Sequence, residues 1–108
     1  MQVHKENQTI QEGIDKYKYD PQKAFIVEKG DCLWNAVKAI LKNKNGVEPT
    51  DAQIQKGVRA FVFENNFEFT DNNGIKGYKP GLQVKQVDLD NEEYQNLVRV
   101  GNKVVKRQ

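Results

Sequence analysis

Apolar positions along the chain change period at each punctuation point. Residues 24 to 28, Ala-Phe-Ile-Val-Glu, form a short run rich in branched and aromatic side chains, the pattern of a strand. After Lys29-Gly30-Asp31 the pattern becomes helical. Leu33, Ala36, Val37, Ile40 and Leu41 recur at i, i+3, i+4, i+7 and i+8, which puts them on one face of a helix. Ile54, Gly57, Val58, Phe61 and Val62 repeat that spacing and predict a second helix. Leu82 and Val84 then alternate after Pro80-Gly81 and predict a second strand. The order strand, helix, helix, strand implies an α+β fold of βααβ type over residues 23–89. Two helices would pack on one face of a two-stranded antiparallel sheet.

Local chemistry supports these limits. Asp31 stands where a carboxylate can cap the orphan amides of the first helix, and Asn45-Gly46 supplies left-handed backbone to end it. Thr50 and Gln53 have the spacing of a capping box, with Asp51 adding negative charge to the first turn. Gly57 costs about 1 kcal/mol relative to Ala inside a helix; a close approach between the two helices accounts for it, a tolerated defect being the alternative. Residues 65 to 79, NNFEFTDNNGIKGYK, read as a long loop rich in Asn, Gly and aromatics.

The flanks follow different rules. Residues 1–22 are polar and mixed in charge, which predicts a flexible arm or linker ending near Asp20-Pro21. Its Tyr17 and Tyr19 either dock onto the domain or stay solvated. Residues 90–108 form a C-terminal extension with two readings. Tyr94, Leu97 and Val98 suit a short helix capped by Asp90 and Glu93, whereas the valines around Gly101-Asn102 suit a β-hairpin. The hairpin is the preferred reading.

Composition limits the function classes. With 108 residues there is room for one domain, and a hydrophobic share of 37% makes its core small. The net charge of +2 is too slight to point to nucleic acid or an anionic membrane. A single cysteine rules out an internal disulfide and a cysteine-based structural zinc site. No stretch has the apolar length of a membrane span, so no membrane insertion is expected. The opening MQVHKENQTIQEG lacks the apolar run of a signal peptide. Localisation stays open on this reading: a cell-wall or extracellular module if the chain is a piece of a longer secreted protein, otherwise a cytoplasmic or virion-associated one.

Three segments in order carry a family resemblance. FIVEKGDCLWNAVKAIL, with its Gly-Asp-x-Leu-Trp core, PTDAQIQKGVRAFVFENNF and KPGLQV together resemble the LysM domain, a small βααβ carbohydrate-binding module. The resemblance covers about 66 residues, 24 to 89. It implies a non-catalytic module that binds peptidoglycan or other N-acetylglucosamine-containing glycans of chitin type, and so anchors or targets an attached protein. It also implies a groove between the turn Gly30, Asp31, Cys32, Leu33 and the loop beginning at Asn66, with Phe67, Glu68 and Phe69 on the second wall. The chain departs from the family at Cys32, where Ser or Thr is usual, and in the length of the loop after the second helix.

Each candidate also has a plainer role. Asp31 caps a helix whether or not a sugar binds, Gly30 permits a tight turn, Leu33 packs, and Trp34 divides between packing and contact. Phe67 and Phe69 are core residues as readily as a ligand platform. Cys32 near a helix start could have a lowered thiol pKa. The lone histidine, His4, lies in the polar arm, so no base is implied and no catalytic residue is assigned. TDNNG and DLDNEE lack the spacing of an EF-hand calcium loop, and no metal or cofactor is expected. The alternative function is a protein-interaction or assembly module, of the kind found in phage tails or intracellular bacterial proteins, with a protein partner taken by the 90–108 extension.

Overall fold

The computed structural model describes residues 9–11 and 15–107. Strands β1 (Thr9–Gln11), β2 (Lys23–Ile26) and β3 (Gln83–Lys85) form one sheet with β2 at its centre. Helices α1 (Leu33–Asn45) and α2 (Asp51–Asn65) lie between β2 and β3 in the chain. A 3-10 helix at Glu92–Asn96 leads into a hairpin of β4 (Leu97–Val100) and β5 (Lys103–Lys106). The architecture is α+β, with the expected order β–α–α–β at its centre.

β2 and β3 pair antiparallel, with Phe25 opposite Val84, and both side chains are fully buried. The ladder continues past β2, as Val27 N donates to Leu82 O at 2.8 Å and Gly81 N donates to Val27 O at 2.9 Å. Pro80-Gly81 turns the chain into β3. Leu82 N donates to Lys79 O, and Gly81 has φ +97°, the geometry of a type II turn.

Both helices bury their apolar stripes in one common core. Leu33, Ala36, Val37, Ile40 and Leu41 are buried on α1; Ile54, Val58, Phe61 and Val62 are buried on α2. Gly46, at φ +77°, ends α1 and donates its N–H to Lys42 O at 2.7 Å. Thr50 and Gln53 form the capping box reciprocally: Gln53 N donates to Thr50 Oγ1, and Thr50 N to Gln53 Oε1. At Gly57 a Cβ would come within 2.6 Å of Val37 Cγ1. Burial of Val37 leaves no room for it, so the glycine is there because α1 packs tightly against α2.

Three expectations are corrected. The sheet has three strands rather than two, because β1 adds parallel to β2 with Ile10 opposite Ala24. The flexible arm expected over residues 1–22 falls partly outside the described residues; at 9–11 and 15–22 it is docked. Tyr17 packs edge-to-face on Phe25 at 5.2 Å. Tyr19 Oη donates to Asp88 Oδ1 and accepts from Leu89 N. Buried Gln86 donates to Lys18 O and accepts from Asp20 N. Residues 90–107 of the expected extension are likewise part of the folded unit, since Tyr94, Leu97 and Val104 are buried in the common core.

The C-terminal alternatives turn out to coexist. Glu92–Asn96 is a short 3-10 helix capped by Asn91, whose Oδ1 accepts from Glu93 N, rather than by Asp90. Immediately after it, Val98 faces Val105 and Val100 faces Lys103 across the Gly101-Asn102 turn. Buried Tyr94 reaches α2 by donating its hydroxyl to Glu64 Oε2 at 3.0 Å. Burial, followed by that carboxylate, pushes its phenol above the ordinary range.

Candidate functional site

The strand-to-helix corner is built by a turn and a buried cation. Asp31 N donates to Glu28 O at 2.9 Å, with Gly30 at φ +89° supplying the left-handed step between them. The Asp31 carboxylate folds back over this turn. Its Oδ2 accepts from Glu28 N at 2.7 Å and from Lys16 Nζ at 2.5 Å. Lys16 is only 7% exposed, and it also reaches Glu28 Oε1 at 3.3 Å and sits 5.3 Å from the Tyr17 ring centroid.

Asp31 is therefore not the helix cap that its position in the sequence predicts. Cys32 occupies the N-cap with extended backbone and no side-chain cap, and Ala36 N bonds to its carbonyl. Lys16 and the Glu28 amide have taken the carboxylate instead. Burial raises the Asp31 pKa, but the hydrogen bonds from Lys16 and Glu28 N outweigh it and hold the group below its ordinary value. For Lys16, burial opposes the charge, and the bonds to Asp31 and Glu28 outweigh it, so the net shift is upward.

The facing wall comes from the end of α2 and the loop beyond it. Asn66 is the left-handed C-cap of α2, at φ +60°, and Phe67 N donates to Val62 O. Beside it, Asn65 clips the helix to the sheet: its side-chain amide donates to Lys85 O and accepts from Lys85 N. Phe69 and Ile75 form a bridge that folds residues 69–75 into a narrow loop. Thr70 holds the tip, with Oγ1 accepting from Gly74 N and its own N–H donating to Gly74 O.

The hairpin fixes this loop from the other side. Asn102 O accepts from Phe69 N at 2.7 Å. Arg99 lays its guanidinium 4.1 Å from the Phe69 ring centroid, donates Nη1 to Asn73 Oδ1 and donates Nε to Gly101 O.

Between these walls is a cleft of about 730 Å³. Asp31, Cys32 and Leu33 line it from the corner, and Phe69 from the loop. Gly30, Asn66, Phe67 and Glu68 are not among its lining residues. Gly30 shapes the turn, Asn66 caps the helix, Phe67 packs edge-to-face on Tyr78, and Glu68 pairs with Lys103 at 3.2 Å. The cleft instead recruits Trp34, Arg59, Thr70, Asn73, Tyr78 and Arg99. Trp34 is 38% exposed, an unusual state for an indole next to a packed core.

Two polar atoms in this lining are buried without a partner among the described residues: Tyr78 Oη and Arg59 Nε. Burial raises the Tyr78 phenol pKa well above its ordinary value, with Tyr17, Asp31 and Cys32 adding to it, so the hydroxyl stays protonated as a donor. Among the described residues, no three His, Cys, Asp or Glu side chains gather around a point that could hold a metal ion. No helix among them is long and apolar enough to cross a membrane.

No protein-family model, curated protein or solved structure matches this chain. What the cleft can bind rests on its own chemistry. An exposed indole and the half-buried Ile75 offer apolar surface, while Thr70, Asn72, Asn73 and Gln55 place neutral polar groups around it. Sequence patterning gave no sign of Arg59 or Arg99, which reach the cleft from α2 and β4. The run of Asn and Gly at 72–74 was the one local signal for the loop tip.

Proposed function

We propose that the chain is a non-catalytic carbohydrate-binding module of LysM type that takes N-acetylglucosamine-containing glycans, of peptidoglycan or chitin type, and anchors or targets whatever is attached to it. The observation that carries this reading is the placement of the cleft. It opens between the strand-to-helix corner at Asp31–Leu33 and the loop after α2, the location the resemblance assigns to the sugar groove. The central β–α–α–β order and the antiparallel β2–β3 pair support the same reading.

The chemistry is suited to a pyranose. The aromatic face of Trp34 and the aliphatic surface of Ile75 match the apolar face of a sugar and an acetamido methyl. Neutral amides and hydroxyls match its rim. Glycoside hydrolysis needs two carboxyl groups facing each other across the bond. Asp31 is the one carboxylate in the lining, and Lys16 holds it ionised, which makes it a poor proton donor. A single shallow site binds weakly, and tethering to a neighbouring module raises its effective concentration.

Trp34 is the only tryptophan in the chain, so its fluorescence reports on the cleft alone. Titration with N-acetylglucosamine tetramer is expected to shift or quench the emission saturably. Glucose oligomers, which lack the acetamido group, are expected to do so far less. An emission spectrum unchanged at millimolar tetramer would count against the proposal.

A further inference from the structure

Arginines dominate the charge of the cleft. Arg59 and Arg99 both line it, and its single carboxylate, Asp31, is already neutralised by Lys16. A second hollow of about 380 Å³ is lined by the same two arginines together with Arg107, and it has no carboxylate in its lining. None of the three arginines forms an ion pair among the described residues, whereas the cations paired elsewhere on the surface are lysines. Arg59 Nε is buried without an acceptor. A buried charged donor left unpaired is costly.

The guanidiniums are also held in place. Arg99 is locked by Phe69, Asn73 and Gly101, so its free edge is fixed relative to the loop tip. With Nε donated to Gly101 and one Nη1 hydrogen to Asn73, Nη2 and the remaining Nη1 hydrogen are left to meet a carboxylate in a planar geometry that a lysine does not have.

We infer that Arg59 and Arg99 form a carboxylate subsite where the two hollows meet, so that the glycan taken by this cleft carries an acidic substituent. This rests on the carbohydrate-binding reading and divides its two polymer classes. Chitin-type chains are neutral and leave both arginines unanswered. A glycan in which alternate N-acetylhexosamines carry a free lactyl ether carboxylate, as in peptidoglycan strands stripped of their peptide stems, places an anion beside an acetamido sugar; where the stem is attached, the carboxyl is an amide and uncharged. The sugar would lie on Trp34 and Ile75, with its carboxylate turned toward the arginines.

The test compares three ligands on the intact chain by isothermal calorimetry: the neutral N-acetylglucosamine tetramer, the lactyl-bearing alternating tetramer, and the latter with its carboxylates converted to methyl amides. The acidic tetramer is expected to bind about tenfold more tightly than the other two, the worth of one charge-assisted hydrogen bond. That margin should shrink as salt is raised from 20 mM to 500 mM. Arg59→Gln should remove most of the margin between the acidic and the amidated tetramer. Arg99→Lys, which keeps the charge but loses the fork, should remove part of it. Equal affinity for the acidic and amidated ligands in the wild-type chain would overturn the subsite and leave the glycan reading standing. No binding of any tetramer would overturn both. The wild-type comparison requires no variant to fold.

Discussion

At the scale of single residues, Gly57 and Asp31 show opposite fates for a sequence signal. Gly57 interrupts an otherwise good helical stripe, and its reason lies across the interface, where Val37 Cγ1 fills the space a Cβ would take. Val37 is fully buried, and a β-branched side chain in a helix has little rotamer freedom to move aside. Gly57→Ala gains about 1 kcal/mol of helix propensity and incurs about 1–3 kcal/mol of overpacking. A net loss of stability of about 1 kcal/mol is expected in urea unfolding. In a Val37→Ala background the same change should become neutral or stabilising. A stabilising Gly57→Ala in the wild-type background would show that the helices are not held this close. Asp31 was legible as a capping residue by position alone. Its carboxylate is used elsewhere because Lys16, fifteen positions earlier, reaches it first.

At the scale of elements, the parts read correctly from the sequence are those whose causes are local. The two helical stripes, the Thr50–Gln53 box, the Gly46 stop, the Pro80-Gly81 turn and the Gly101-Asn102 hairpin each depend on residues within a few positions of one another. The docking of β1 and residues 15–22 depends on partners far along the chain, such as Gln86 for Lys18 and Asp88 for Tyr19, and composition alone made that segment look like a linker. Lys16 ties this segment to the Glu28–Asp31 turn, which gives the tie a pH signature.

The Asp31 carboxylate, with its folded-state pKa below 3.8, contributes stability above that pH and loses it as pH falls through the lowered value. Lys16, raised above 10.5, contributes below that pH and loses it as pH rises through the raised value. The tie is complete between these limits. Lys16→Met should lower the urea midpoint at neutral pH and flatten its decline below pH 4, because Asp31 then has less to lose on protonation. Parallel acid limbs in the two proteins would show that Lys16 does not set the Asp31 carboxyl.

At the scale of the whole molecule, the C-terminal hairpin completes the βααβ unit rather than trailing from it. Tyr94, Leu97 and Val104 join the core, while Asn102 and Arg99 brace the loop that walls the cleft. The candidate site is thus assembled from the corner before α1, the outer face of α2, the loop after it and the hairpin. Only the first of these, and Phe69 from the loop, could be placed from the sequence. Arg59, Tyr78 and Arg99 are isolated polar or aromatic residues in their own segments, and folding alone brings them together.

The central claim is that this cleft, and no other surface, receives a glycan. Backbone amide shifts during titration with N-acetylhexosamine tetramers, neutral and lactyl-bearing, test it most directly. The account predicts saturable shifts at Asp31–Trp34 and at Phe69–Ile75, with Lys42–Asn45 at the far end of α1 unmoved. Shifts confined to other surfaces, or none at millimolar ligand, would contradict it.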